Sequence, residues 1–142
     1  MNTNTAPCLI DAVADPASVD ASEILDESAL FRSPFADYSG RSDISHLLGL
    51  ISEVLTELRP ARRLSSDAAT MTLFDARVAD EDVQGVLCEE RDGDGRVTEA
   101  LLTVRPYSGL QAAMRAMGTL MEASPLPSAR GLGANSDRRT DG

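Results

Sequence analysis

Residues 69–105 read ATMTLFDARVADEDVQGVLCEERDGDGRVTEALLTVR, and this stretch decides the fold. The runs at 69–79 and 96–105 are rich in Thr, Val and Leu and contain neither Gly nor Pro, which favours β-strands. Residues 83–91 are predicted to be the strand between them. The segment 92–95, DGDG, predicts a hairpin turn, because glycine accepts the positive φ that such turns need. The second half of the chain is therefore predicted to form an antiparallel sheet.

Helical patterns lie on both sides of these strands. In residues 44–58 apolar side chains recur at three- and four-residue steps until Pro60 ends the pattern, which predicts a helix. Residues 16–27 and 109–122 predict two further helices, and residues 29–33 predict a short strand. This order indicates an α+β fold in which helices lie across a curved antiparallel sheet.

The composition separates one domain from two polar ends. Residues 1–15 are predicted to be a flexible N-terminus, and residues 124–142, rich in Ser, Pro, Gly and charge, to be a disordered tail. Residues 16–123 remain as the domain, since 142 residues are enough for one hydrophobic core and too few for two.

The charge balance excludes several kinds of partner. All 13 basic residues are arginine, 23 residues are acidic, and the formal net charge is −10. Such a chain repels phosphate backbones and has no basic cluster for an anionic membrane, so neither nucleic acid nor a membrane is expected as a partner. The N-terminus lacks the charge and apolar length of a signal peptide. Cys8 and Cys88 are expected to stay reduced, and the predicted location is cytoplasmic.

Five short motifs carry a resemblance to a known family. They are Phe-Arg-Ser-Pro at 31–34, Tyr-Ser-Gly-Arg at 38–41, Asp-Gly-Arg-Val at 94–97, Leu-Leu-Thr-Val-Arg-Pro at 101–106 and Leu-Gln-Ala at 110–112. In this order and spacing they resemble SnoaL-like proteins of the nuclear transport factor 2-like superfamily.

The resemblance implies a fold and a range of functions. The expected fold is a cone, in which a strongly curved antiparallel sheet wraps around helices, also described as a cystatin-like α+β roll. Its open end holds a ligand cavity. Members include isomerases, polyketide cyclases, epoxide hydrolases and non-catalytic binding domains, so the fold alone does not fix the function. The resemblance also implies a homodimer formed through the outer face of the sheet.

Asp75 is the first candidate for acid–base chemistry, because it lies within an apolar strand where ionisation is costly. Strand alternation leaves two possibilities. In one, Asp75 faces the cavity together with Met71 and Leu73. In the other, Phe74 and the residues that alternate with it are buried, and Asp75 is a solvated partner of Arg77.

The family's paired carboxylates are not complete in this sequence. The strand of Asp75 is similar to the one on which family epoxide hydrolases carry Arg-x-Asp, but Leu73 occupies the arginine position. The second carboxylate of those enzymes falls near Leu102, and the buried acid of ketosteroid isomerases falls near Leu87. The resemblance thus disfavours paired-carboxylate chemistry and predicts that Met71, Leu73 and Leu102 contact a ligand.

Three further residues are candidates for the site. His46, the sole histidine, is the second candidate for proton transfer, with a partly exposed surface position as the alternative. Arg105, next to Pro106, either binds a ligand carboxylate or pairs with an acid such as Glu99. Tyr38 lies on a loop that rims the cavity or serves as a packing residue.

Two functions therefore stay open. In the first, the protein binds a small apolar or polyketide-like ligand in the cone cavity and acts as an acid–base isomerase, cyclase or hydrolase. In the second, it is a non-catalytic ligand-binding or dimerisation module. One histidine and two distant cysteines do not make a zinc site, so no metal and no other cofactor are predicted. The predicted partners are a small-molecule ligand and a second copy of the chain.

Overall fold

The structure, a computed structural model, describes residues 7–129. Residues 1–6 of the predicted flexible N-terminus (1–15) and residues 130–142 of the predicted tail (124–142) lie outside this range. The elements in chain order are α1 (Leu9–Ala14), α2 (Ala21–Ile24), β1 (Leu25–Arg32), β2 (Asp37–Ser39), α3 (Arg41–Val54), β3 (Thr56–Ser65), β4 (Ala69–Val78), β5 (Glu81–Arg91), β6 (Val97–Arg105) and α4 (Tyr107–Ala123).

The six strands form one curved, open sheet in the order β2-β1-β6-β5-β4-β3. Strands β4, β5 and β6 are antiparallel neighbours, as the stretch 69–105 predicts. Strand β1 joins the sheet by pairing in parallel with β6, and it pairs with β2 in antiparallel fashion. The mixed α+β architecture and the curved sheet confirm the predicted fold class.

One face of the sheet is buried under helices and the other is open. Burial alternates along β4 and β5, so Phe74 and Leu87 point to the buried inner face. Helix α3 lays Leu47 and Ile51 against this face, and α1 packs beside α3 and β3. The outer face carries the residues that alternate with them and is not covered by any element of the described part of the chain.

The predicted helix at 16–27 is much shorter in the structure. Asp20 caps α2, and its Oδ1 accepts the N–H of Ser22 at 2.9 Å, but the helix ends at Ile24. From Leu25 onward the chain is strand β1. Pairing with β6 satisfies its backbone groups and buries alternate apolar side chains, and this tertiary gain overrides the local helical pattern.

Strand β3 is absent from the sequence-based prediction. The sequence predicts that the helix runs on through residues 55–58, whereas α3 stops at Val54 and Thr56 begins a strand that contains Pro60. An edge strand tolerates proline because the backbone groups on its outer side need no partner strand. The β3–β4 register is also irregular around Pro60. Most of β3 is exposed, so it lacks the apolar alternation that identifies a half-buried strand.

The described fold extends beyond the predicted domain limits of 16 and 123. Leu9 and Ile10 of α1 are 0% and 1% exposed and belong to the core. Leu126, beyond α4, is also buried. None of the helices within residues 7–129 combines the length and apolar character needed to cross a membrane.

Candidate functional site

The interior of the cone is closed and almost filled. Between α1, α3 and the inner face of the sheet lies a residual cavity of about 10 Å³, which is close to the least space that one water molecule needs. Its walls are apolar and come from two helices and five strands. They are Ile10, Val13, Phe31, Leu48, Ile51, Leu55, Leu58, Phe74, Leu87 and Leu102. We call this the interior pocket.

Of the residues that the sequence predicts for the ligand site, Leu102 is the one that lines the interior pocket. Met71, Leu73 and Asp75 alternate with the buried residues of β4 and therefore lie on the outer face. The inward-facing alternative for this set is thus wrong, because Phe74 and its alternating neighbours take the inner positions.

Leu73, Asp75 and Arg105 nevertheless lie close to one another, in a groove of about 400 Å³ on the outer face. Arg105 donates from Nη1 to Oε1 of Gln84 at 2.6 Å. Gln84 is the cross-strand neighbour of Asp75 in the β4–β5 ladder. A carboxylate and a guanidinium therefore border an apolar groove that opens to solvent.

The ion pairs proposed for Asp75 and Arg105 are not those of the structure. Arg77 binds Asp82 instead of Asp75, with 2.9 Å between Nη1 and Oδ1. The alternative partner of Arg105, Glu99, binds Arg32 at 2.9 Å. The cross-strand register brings Asp82 to Arg77 and the amide of Gln84 to Arg105, while Glu99 is engaged by Arg32.

His46 and Tyr38 occupy positions that support the fold. Nε2 of His46 lies 2.8 Å from the backbone oxygen of Ser124 and 3.1 Å from its Oγ, so the ring ties α3 to the chain just after α4. Tyr38 is half-buried on β2 and packs against the core. Burial raises the pKa of its phenol. Neither residue lines the interior pocket.

The inner face carries a buried carboxyl group that the sequence analysis did not single out. Glu89 of β5 is 0% exposed, and its Oε1 accepts the N–H of Leu9 at 3.0 Å. Nη2 of Arg91 lies 3.3 Å from the same oxygen. Glu89 thus meets the first turn of α1, where the N–H of Ile10 also favours its carboxylate. No group among residues 7–129 meets the geometry of a hydrogen bond with its Oε2.

Burial dominates the electrostatics of Glu89. Removal from water raises the pKa of its carboxyl group, against the opposing effects of the Leu9 N–H, the Arg91 charge and the Ile10 N–H. The thiol of Cys8 lies in the same region, and its pKa is also raised, first by burial and then by the charge of Glu89. The carboxyl group therefore holds a proton more tightly than an exposed glutamate does.

Thr72 is the second buried polar group on this face that lacks a partner. It is 0% exposed, and within the described range nothing forms a hydrogen bond with its Oγ1. In the β4–β5 ladder Thr70 lies opposite Glu89, and Thr72 lies opposite Leu87. Thr72 and Glu89 are consequently diagonal neighbours on the inner face, with Cα atoms roughly 7–8 Å apart by sheet geometry.

Residues 7–129 contain no group of three or more His, Cys, Asp or Glu side chains placed to hold a metal ion.

Comparison with solved structures relates this geometry to known proteins. A steroid delta-isomerase from Pseudomonas aeruginosa is 30% identical, with a TM-score of 0.74 over 79% of this chain and 85% of its own. A protein with a cystatin-like fold from Silicibacter pomeroyi is 22% identical, with a TM-score of 0.79 over 90% and 89%. A nuclear transport factor 2-like protein from Mesorhizobium loti is 21% identical, with a TM-score of 0.60 over 68% and 84%.

The chain belongs to the nuclear transport factor 2-like superfamily. The 30% identity over most of the P. aeruginosa protein and the shared curved sheet together establish this. No protein-family model matches the sequence, and no curated protein sequence matches it either. The superfamily assignment therefore rests on the fold and on these structures.

Within this superfamily fold, the candidate residue that sequence reasoning missed is Glu89. It lies next to Glu90 and Arg91 in a run of charged residues that reads as a solvated strand end. Alternation counted from Leu87 places Glu89 on the inner face. Strand alternation could therefore have placed Glu89 on the inner face. Its burial could not be predicted in this way, because it depends on α1 folding over the carboxyl group.

Proposed function

We propose that this protein binds a small, largely apolar molecule in the interior pocket, with Glu89 as the polar group that meets it. The observation that carries the proposal is the unpartnered Oε2 of Glu89, which is buried on a mainly apolar face. A buried polar atom without a hydrogen bond costs free energy, and a ligand that supplies the bond recovers it.

The pocket is the type of site that suits such a molecule. Ligand sites are mainly apolar and contain few polar groups, which fix the orientation of the ligand. At about 10 Å³ the pocket is closed in this state, so a ligand enters when α1 moves aside. Helix α1 has six residues and is the shorter of the two helices that line the pocket, and an exposed segment, 15–18, follows it. It is therefore the wall that the proposal requires to move.

Methyl-resolved NMR with added methylcyclohexane tests the proposal. We expect saturable shifts of the Leu87 and Leu102 methyl signals, because both side chains line the pocket. The methyl signals of Leu64 and Leu101, which are exposed on β3 and β6, serve as internal controls. Shifts confined to these two outer residues, or no saturable shift of the interior pair, would contradict the proposal.

Acid–base isomerisation is the second candidate function. The similarity to the P. aeruginosa steroid delta-isomerase favours it, and Glu89 is a carboxyl group on the inner face that can move a proton. The experiment is the conversion of a 5-ene-3-ketosteroid to its conjugated 4-ene isomer, followed by ultraviolet absorbance. Activity that disappears in Glu89→Gln supports this function, whereas equal rates with and without the protein exclude it for this substrate.

We also propose that the chain is SnoaL-like and dimerises through the outer face. The order of the five motifs supports the first point. The second is supported by an apolar surface on the outer face, which we call the outer patch. It consists of Leu64, Met71, Leu73, Val86, Cys88 and Leu101. Leu64, Met71 and Leu101 are 56%, 40% and 43% exposed, and an apolar patch of this kind is typical of an interface.

A further inference from the structure

Two buried polar atoms without partners lie on the inner face of the sheet, and they belong to adjacent strands. They are Oε2 of Glu89 and Oγ1 of Thr72, and neither finds a hydrogen-bond partner within residues 7–129. Both side chains are 0% exposed. Unpartnered buried polar side chains are uncommon in folded proteins, and each calls for an explanation.

The apolar residues near these two atoms indicate the kind of ligand that could reach them. Leu87 lies directly opposite Thr72 in the ladder and also lines the interior pocket. Phe74, the next inner residue of β4, lines it as well. Thr72 and Glu89 do not line the pocket themselves, but each is next to Leu87 or Phe74, which do, on the same face of the sheet. A ligand that reaches from the pocket to the two polar atoms would have an apolar body and a polar end.

The chemistry of the two atoms selects the polar end. A threonine hydroxyl both donates and accepts hydrogen bonds. A carboxylate oxygen accepts, whereas the protonated carboxyl group also donates. A ligand hydroxyl group suits both protonation states of Glu89. It donates to the carboxylate and accepts from Thr72, or it accepts from the protonated carboxyl group and donates to Thr72. A ketone oxygen only accepts, and an ammonium group only donates.

We propose that Glu89 and Thr72 form a recognition site for the hydroxyl group of an apolar alcohol bound in the interior pocket. The inference rests on the proposed ligand-binding function and narrows its ligand class. The hydroxyl oxygen would bridge the two side chains, and the apolar body would lie against Phe74 and Leu87.

The test compares cyclohexanol with methylcyclohexane, which is similar in size and replaces the hydroxyl group with a methyl group. We expect the wild-type protein to bind cyclohexanol about tenfold more tightly, as one added buried hydrogen bond would give. The Leu87 and Leu102 methyl shifts report the affinity of both probes.

Thr72→Val is the decisive variant, because it keeps the shape of the side chain and removes the hydroxyl. We expect the preference for cyclohexanol to fall several-fold, the affinity for methylcyclohexane to stay unchanged, and the Tm of the free protein to rise. Thr72→Ser should restore the preference. Thr103→Val, on the outer face of β6, is the matched control and should change neither affinity.

The outcomes separate this inference from the function on which it rests. Equal affinity of the wild-type protein for the two probes at the interior methyl groups overturns the hydroxyl site and leaves the ligand-binding proposal in place. An unchanged preference in Thr72→Val also overturns the hydroxyl site. So does a crystal structure in which a water bridges Thr72 and Glu89 and stays there with cyclohexanol bound. Absence of interior shifts with either probe overturns both proposals.

Discussion

At the residue scale, Glu89 decides how the protein responds to pH. The groups around its carboxyl are the N–H groups of Leu9 and Ile10, the side chains of Arg91 and Asp11, and the thiol of Cys8. Burial outweighs the favourable contacts and raises the pKa above its ordinary value of 4.5. The folded protein therefore binds this proton more tightly than the unfolded chain does.

The first prediction is the resulting pH dependence of stability. Where the folded state holds more protons, the free energy of unfolding falls as pH rises. The contribution of Glu89 should decline from pH 4.5 upward until the pH exceeds the raised pKa of the folded state. Glu89→Gln cannot ionise and should remove this slope. Chemical denaturation of both proteins over this range measures it.

Glu90→Gln is the matched control for this prediction. Glu90 is the exposed neighbour on β5 and faces away from α1. Its substitution should leave the slope of stability against pH unchanged. If the free energy of unfolding falls equally with rising pH in Glu89→Gln and in the wild-type protein, Glu89 does not have the raised pKa described above.

The second prediction, also at the residue scale, concerns Gly85 in the centre of the sheet. An added Cβ would lie 2.7 Å from the backbone oxygen of Thr103 and would also meet the ring of Phe74. Gly85→Ala should lower the free energy of unfolding by about 1–3 kcal/mol, as overpacked cores do. Gly49→Ala in α3 meets no atom within 4 Å and should raise it by about 0.5–1 kcal/mol. A neutral Gly85→Ala would show that the sheet adjusts at this point.

At the element scale, α1 is the part that closes the interior. It has a Cys8–Asp11 capping box, in which the N–H of Cys8 donates to Oδ2 of Asp11 at 2.8 Å. Nη2 of Arg63 lies 3.2 Å from the other oxygen of Asp11, so β3 contributes to holding the helix. A helix of six residues is marginal by itself, and its stability comes from these contacts and from its buried side chains.

The third prediction follows from the burial of α1. Leu9 is fully buried, so Leu9→Ala should lower the free energy of unfolding by about 2–5 kcal/mol, measured by chemical denaturation. Met114→Ala, at a residue of α4 that is 44% exposed, is the control and should cost much less. Equal losses in the two variants would mean that α1 does not pack into the core in solution.

At the scale of the whole molecule, the two faces of the sheet have different roles. The inner face and the helices form the core and the interior pocket. The outer face presents the outer patch and, next to it, the groove bordered by Asp75 and Arg105. In a dimer formed through this face, both polar groups would lie at the margin of the interface, where charged pairs guide association more than they strengthen it.

The fourth prediction tests this dimer. Leu101→Glu places a charge within the outer patch and should weaken dimerisation at least tenfold, because a buried unpaired charge is costly. Met114→Glu is a well-matched control, since Leu101 and Met114 are 43% and 44% exposed. Sedimentation of the wild-type protein and both variants at micromolar concentration measures the effect. A wild-type monomer, or equal behaviour of the two variants, would contradict the outer-face dimer.

The sequence by itself determined the elements whose patterns are local. Strands β4, β5 and β6 follow from β-branched and apolar runs separated by turn residues. Helix α4 and most of α3 follow from apolar spacing. The motifs from Phe31 to Ala112 then led to the nuclear transport factor 2-like fold, since their order reflects the order of these elements.

The tertiary structure alone decided three other features. Residues 25–28 of β1 and all of β3 are strands because they pair with β6 and β4, and this pairing overrides the helical pattern that the sequence shows at residues 25–27 and 56–58. The face of the sheet on which Asp75 lies depends on which of the two alternating sets of β4 side chains the helices cover. Glu89 becomes a buried, functional candidate only because α1, distant by 80 positions in sequence, folds over it. Burial and cross-strand register arise from such distant contacts, and these are what assign a side chain to the interior pocket or to the outer face.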